Sequence, residues 1–313
     1  MAGHLYEADT IDTLEEPEDV REQPAETGEA GLGPGPRRLL AAFALFTALA
    51  AHQLLRLGGH TEHAWAWTIQ ARPTVAFLGA AYAAGFVLSV AALRQRSWAH
   101  VRVAVVTVTV FTVLTLAATY WHAHKLHLTA ADPLARSAAW VWTAVYLAVP
   151  VAGLVVLLRQ PAHRHGARRA LSRWVRAVLA AQGLVLGAVG AVLFTSGLSA
   201  HHGTHVTGSA WPWALTPLSA QVVGAWLVAL GVGAALVVRE TDVCRLHVPA
   251  VTYTAFGVFQ WAVLLRFRDE LVAGPALWAY AAVLTAVVAT GGYGWWLVRR
   301  QGTSSPAGGR GVR

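Results

Sequence analysis

In 313 residues the chain has one cysteine, one lysine, one methionine and no asparagine. A single cysteine, Cys244, excludes an intrachain disulfide framework and any multi-cysteine metal cluster. Lys125 stands alone against 23 arginines, a bias that resembles high-GC bacterial codon usage, so arginine in place of lysine carries little functional information. Charge is scarce as well. Only 13% of residues are charged and 56% are hydrophobic, whereas soluble domains carry about 25% charged residues. Also missing are a Gly-rich phosphate loop, a dinucleotide fingerprint and a His-Glu-x-x-His zinc motif. Cys244 and His247 lie three residues apart in "RETDVCRLH", which reads as a short connecting loop rather than a nucleophile and its base.

The few acids that exist are unevenly placed. Ten of the sixteen lie in residues 1–36, with one arginine, leaving 23 basic and six acidic residues for the rest of the chain. The acidic stretch has almost no large apolar residues and ends in "GEAGLGPGP", a composition that predicts a disordered tail. Its first 30 residues contain no apolar h-region, so no signal peptide is expected. In a soluble protein the basic remainder would suggest nucleic acid. Here the arginines cluster at the ends of apolar segments, which points to the lipid bilayer as partner and not to nucleic acid.

What the chain has in abundance is apolar runs. A helix needs about 20 apolar residues to cross the hydrocarbon core. Segments of that kind lie near 38–57, 74–93, 102–121, 138–158, 174–196, 217–238, 248–265 and 277–298. The expected fold class is therefore an all-α integral membrane protein with about eight transmembrane helices. Alternate connections are rich in arginine: Arg37/Arg38, Arg94/Arg96/Arg102, the 159–176 loop, Arg239/Arg245 and Arg299/Arg300. Short cytoplasmic loops carry that excess, which predicts a plasma (inner) membrane protein with both termini cytoplasmic.

Offsets of 139–146 bring the chain into register with itself. Val106–Val113 reads against Val251–Val258, Trp65-Ala66-Trp67 against Trp211-Pro212-Trp213, Asp132-Pro133 against Gly274-Pro275, and Thr143-Ala144-Val145 against Thr285-Ala286-Val287. Four matches in one order predict two parallel four-helix repeats, since an even helix count per repeat preserves orientation. The expected organisation is a cytoplasmic tail over 1–36, repeats over 37–160 and 174–300, an Arg/His-rich linker over 161–173 and a disordered C-terminal tail over 301–313.

Histidine-rich loops carry the most suggestive chemistry. "HTEHAWAW" (60–67) and "HGTHVTGSAWPW" (202–213) each place His-x-x-His ahead of Trp-x-Trp, and "YWHAHKLHL" (120–128) adds three more histidines. Imidazoles at i and i+3 share a helix face and suit Zn, Cu or Fe. The candidate metal ligands are His60, His63, His202 and His205, with His122 and His124 as additions. The competing reading is an aromatic belt at the membrane interface, with Trp65, Trp67, Trp121, Trp211 and Trp213 as anchors and the histidines as polar residues beside them. A third reading of "HAHK" is a polar clamp onto Arg268-Asp269-Glu270, its counterpart in the repeat frame.

Within the spans the polar residues are His52, Gln53, Arg56, Gln182, Gln221, Gln260 and Arg266. No Asp or Glu falls at mid-depth, which weakens an ion-coupled carrier that would need a buried carboxylate. Thr112, Thr115 and Thr119 read as threonines bonded back to their own helix, and Gly183-x-x-x-Gly187 as a close helix contact. The functional expectation is a membrane-embedded enzyme or redox protein with a His-rich metal or cofactor site on its extracytoplasmic face. The alternatives are a carrier or channel for a small or lipidic molecule, with its passage between the halves, and a non-catalytic scaffold whose acidic tail recruits a cytoplasmic partner.

Overall fold

The computed structural model describes residues 31–160, 170–199, 211–240 and 242–302. Residues 1–30 of the expected 1–36 tail, 161–169 of the 161–173 linker and 303–313 of the 301–313 tail lie outside the described residues. The described remainder is ordered, with Leu32 buried, the first long helix starting at Pro34, the fifth at Arg173 and the last running to Gly302. Eight long helices account for most of the described chain: α1 (Pro34–Leu57), α2 (Arg72–Leu93), α3 (Trp98–Trp121), α4 (Pro133–Arg159), α5 (Arg173–Ser199), α6 (Pro217–Glu240), α7 (His247–Arg266) and α8 (Pro275–Gly302). All eight are long and apolar enough to cross a membrane. Pro73, Pro133, Pro217 and Pro275 open their helices in the first turn, where the missing N–H is not needed.

The helices divide into an inner and an outer set. α2, α3, α6 and α7 form the centre, and α1, α4, α5 and α8 each pack mainly on one inner neighbour. The closest pairs are α1 with α2, α3 with α4, α5 with α6 and α7 with α8, and the centre is closed by α2 against α7 and α3 against α6. The most apolar stretches of α2 and α6 are 72% buried, against 22% for α8. Two seams stay thin: α1 with α4, and α5 with α8.

Glycine decides how closely the tightest pair approaches. A Cβ added at Gly190 would lie 2.7 Å from the Val228 nitrogen and 2.8 Å from the Gly224 oxygen, and one at Gly231 would lie 2.7 Å from the Gly183 oxygen. α5 and α6 thus touch backbone to backbone, as small residues permit in lipid. The seam extends beyond Gly183-x-x-x-Gly187 to Gly190, and Gly187 meets the facing helix through its backbone.

Polar side chains inside the spans tie neighbouring helices together. Gln260 of α7 donates to the Phe77 carbonyl of α2 at 3.0 Å and accepts from the Tyr280 hydroxyl of α8 at 3.2 Å. Gln182 of α5 accepts from Thr290 of α8 at 2.9 Å, and the Tyr253 hydroxyl of α7 donates to the Leu230 carbonyl of α6. His52 and Arg56, by contrast, are exposed. Thr112, Thr115 and Thr119 each donate to the carbonyl four residues back, at 2.9, 2.8 and 2.7 Å.

The connections fall at two ends. At the arginine end, Gly31 bridges to Ser97 and Ala170 to Asp242. There Glu240 closes α6, lying 3.4 Å from Arg102 of α3 and 3.4 Å from Arg245. At the other end, called here the tryptophan end, the His127 N–H donates to the Ala66 carbonyl and the Val272 N–H to the Pro212 carbonyl, each at 2.9 Å.

Overpacking the glycine seam has a defined consequence. Gly190→Val is expected to destabilise the protein by about 1–3 kcal/mol or more, whereas Gly292→Ala on α8, where an added Cβ meets nothing within 4 Å, should leave stability the same or raise it by up to about 1 kcal/mol. Thermal unfolding in detergent compares the two.

Candidate functional site

The two Trp-x-Trp segments are not surface anchors. Trp65, Trp67, Trp211 and Trp213 are buried to between 2% and 6% exposure, because both segments fold back into the bundle. In the first, the Thr61 hydroxyl and the backbone of Ile69 bond to each other at 3.0 and 3.3 Å, closing the loop between them. His127 holds the segment from the other side. Its backbone N–H reaches Ala66, its Nδ1 donates to the Trp65 carbonyl at 2.9 Å, and its Nε2 accepts from Thr68 at 3.1 Å. One histidine of "YWHAHKLHL" is thus a clasp on the tryptophan segment. Residue 272 matches only its backbone bond, since a valine side chain has no such donor.

Each segment floors a pocket in one of the thin seams. The first pocket, about 90 Å³, lies between α1 and α4 and is walled by Trp65, Tyr82, Trp142 and Tyr146, with Gln53 and Thr47 at its side. Leu49 and Val141 at its rim are each 55% exposed, so it opens sideways, on the apolar flank of the bundle. The second pocket, about 80 Å³, lies between α5 and α8 and is walled by Trp211, Phe256 and Tyr280, with Val185 and Ala279 toward its mouth. Neither wall contains a charged residue.

Ring packing makes both floors rigid. Trp142 sits 5.6 Å from Trp65, 4.9 Å from Trp67 and 4.3 Å from Tyr146. Behind them Trp226 of α6 stacks on Phe111 at 3.9 Å and meets Tyr82 edge-on at 5.4 Å. In the second pocket Trp211 lies 5.0 Å from both Trp213 and Tyr280, with Phe77 at 5.6 Å. Edge-on and offset pairs of this kind contribute about 0.5–1.5 kcal/mol each beyond the area they bury.

The indole donors are unequally used. Trp142 donates to Thr119 at 3.0 Å and Trp213 to Thr74 at 2.8 Å. Trp65 and Trp211, the first tryptophan of each segment and the ones in the pocket walls, have no partner for their N–H among the described residues, and neither do Trp67 and Trp226, which lie outside the walls. In the first pocket the Tyr82 and Tyr146 hydroxyls bond to each other at 2.8 Å. In the second, the Tyr280 hydroxyl is committed to Gln260.

The histidines proposed as metal ligands are placed as follows. His60 and His63 flank Glu62 at 3.9 Å each, and His63 Nδ1 donates to Asp132 at 3.1 Å. His122 is buried, His124 is exposed, and their rings are 6.1 Å apart. Among the described residues no group of three or more His, Cys, Asp or Glu side chains is arranged to hold a metal ion. His202 and His205 lie outside the described residues. Glu270 pairs with Arg72 at the start of α2, at 3.1 Å.

Asp132 earns its position as a helix cap. Its carboxylate accepts the Leu134 N–H at 2.9 Å. That bond above all, with the Ala135 N–H and His63 in support and desolvation opposing, holds its pKa below the ordinary value of 3.8.

No protein family, curated protein or solved structure matches the chain. Its functional reading therefore rests on the pockets themselves. Sequence reasoning singled out the Trp-x-Trp pairs but missed Tyr82, Trp142, Tyr146, Trp226 and Tyr280. No local pattern singled these five residues out, since they come from several helices and meet only in the folded bundle.

Two outcomes test this geometry. His127→Ala is expected to cost about 1–3 kcal/mol, because it leaves buried groups of the tryptophan segment without partners; thermal unfolding and tryptophan emission report it. A depressed Asp132 pKa means that its stabilising contribution is complete above the unfolded value and is lost as pH falls below about 4. Asp132→Asn still caps α4 but does not titrate, so it should flatten the acid limb of the unfolding curve.

Proposed function

We propose that this chain is a plasma-membrane protein, with both termini cytoplasmic, whose two four-helix repeats each hold a lipid-soluble small molecule in a lateral pocket. The observation that carries this reading is the position of the pockets. Each opens on the apolar flank, in the seam where an outer helix pair makes its slightest contact. A ligand dissolved in the bilayer would enter there without crossing a polar surface, into the mostly apolar concavity that small molecules favour.

The parallel-repeat reading has matching support. α1 on α2 corresponds to α5 on α6, α3 on α4 to α7 on α8, and α2 against α7 to α6 against α3. The Gly31–Ser97 bridge recurs as Ala170–Asp242, and the His127–Ala66 backbone bond as Val272–Pro212. Orientation is supported by the arginines gathered at one end. A passage between the halves is disfavoured by packing. The void bordered by Leu88, Thr107, Leu230 and Tyr253, where the four inner helices meet, measures about 10 Å³, the room of one water at most.

A photoactivatable alkyl probe in proteoliposomes tests the reading. Crosslinks should concentrate around Leu49 and Val141 and around Val185 and Ala279. Filling the pockets with Ala138→Phe and Ala279→Phe should remove them. Labelling spread evenly over the lipid-facing surface, and unchanged by those substitutions, would overturn the proposal.

A further inference from the structure

We infer that the first pocket is built for a quinone: a neutral, planar, carbonyl-bearing ring on an apolar tail. This rests on the lateral-pocket reading and adds the chemistry of its occupant. The wall contains no Lys, Arg, His, Asp or Glu. A phosphate or carboxylate head would have no cation to meet, and an ammonium head no anion, so a charged head would be desolvated without compensation.

What the wall offers is hydrogen-bond donors. The hydroxyls of Tyr82 and Tyr146 lie 2.8 Å apart and need only one of their two protons for the bond between them. The second phenolic proton is left to donate. The indole N–H of Trp65, a residue only 4% exposed, has no partner among the described residues. Two spare donors in a buried aromatic wall call for an acceptor without a proton of its own, such as a carbonyl oxygen.

Shape agrees with donor count. Trp65, Trp142, Tyr82 and Tyr146 present aromatic surface, against which a flat ring packs in offset or edge-on geometry. A fully enclosed apolar cavity of about 150 Å³ accepts a benzene ring. The pocket here is smaller, about 90 Å³ in all, and open at one side. A ring would therefore fill it only in part and project past the rim at Leu49 and Val141, where its tail would run into lipid. The second pocket differs in one respect: Trp211 supplies a spare N–H, but the Tyr280 hydroxyl is spent on Gln260. One donor in place of two makes it the weaker quinone site.

The test is equilibrium binding to the full chain in detergent micelles, with decylubiquinone and with decylbenzene, which keeps a ring and the tail but has no carbonyl. The inference expects the quinone to bind at least about tenfold more tightly, the scale of one net hydrogen bond. Tyr82→Phe/Tyr146→Phe should lose about that factor for the quinone and nothing for decylbenzene. The infrared carbonyl stretch of bound quinone should lie lower in the wild-type protein than in the double variant. Equal affinity for the two probes would overturn the quinone inference and leave the lateral pocket standing, with no variant required. Binding of both probes unchanged by Ala138→Phe would overturn the pocket reading as well.

Discussion

Apolar side chains gain little by leaving lipid for the surface of another helix, so helix pairs in a bilayer are held by close van der Waals contact and by the few polar bonds available. In this protein those contacts are concentrated in four pairs. Gly183, Gly190, Gly224 and Gly231 bring α5 and α6 backbone to backbone, and Gln260 bonds α7 to both α2 and α8. Pulling each outer helix onto one inner partner leaves it little surface to share with the other outer helix of its half. The α1–α4 and α5–α8 seams are the consequence, and both pockets lie in them.

The tryptophan segments partly fill these seams, and their placement follows from hydrogen-bond accounting. A chain that folds back among apolar helices must bring partners for its own N–H and C=O groups. Thr61 and His127 supply them for residues 65–69. Once the backbone is satisfied, the large rings can be buried at little further cost. The exceptions in these segments are the indole donors of Trp65, Trp67 and Trp211, which have no partner among the described residues. Buried donors left without acceptors cost about 1–3 kcal/mol each, a burden that a bound acceptor would relieve.

Much of the fold was legible in the residues. The eight apolar runs correspond to eight helices, and the threonine and glycine readings on α3 and α5 agree with their bonds and contacts. The Trp-x-Trp pairs were visible as a doubled element, yet spacing alone could not say whether they faced the interface or the core. That depended on Tyr82, Trp142 and Trp226, which come from three other helices and converge only when the bundle closes. His127 was similarly ambiguous. It stood in a histidine cluster without being named a ligand, and its three bonds to 65–68 make it a clasp.

Hydropathy and period determined by themselves that this chain forms about eight membrane-length helices, because the length and polarity of a span are local properties of the residues in it. Which helices pair, which seams remain thin and which tryptophan keeps a spare donor were decided only by the tertiary structure. Those outcomes rest on contacts between residues far apart in the chain, such as Trp213 with Thr74 and Gln260 with Phe77, and no local pattern records them.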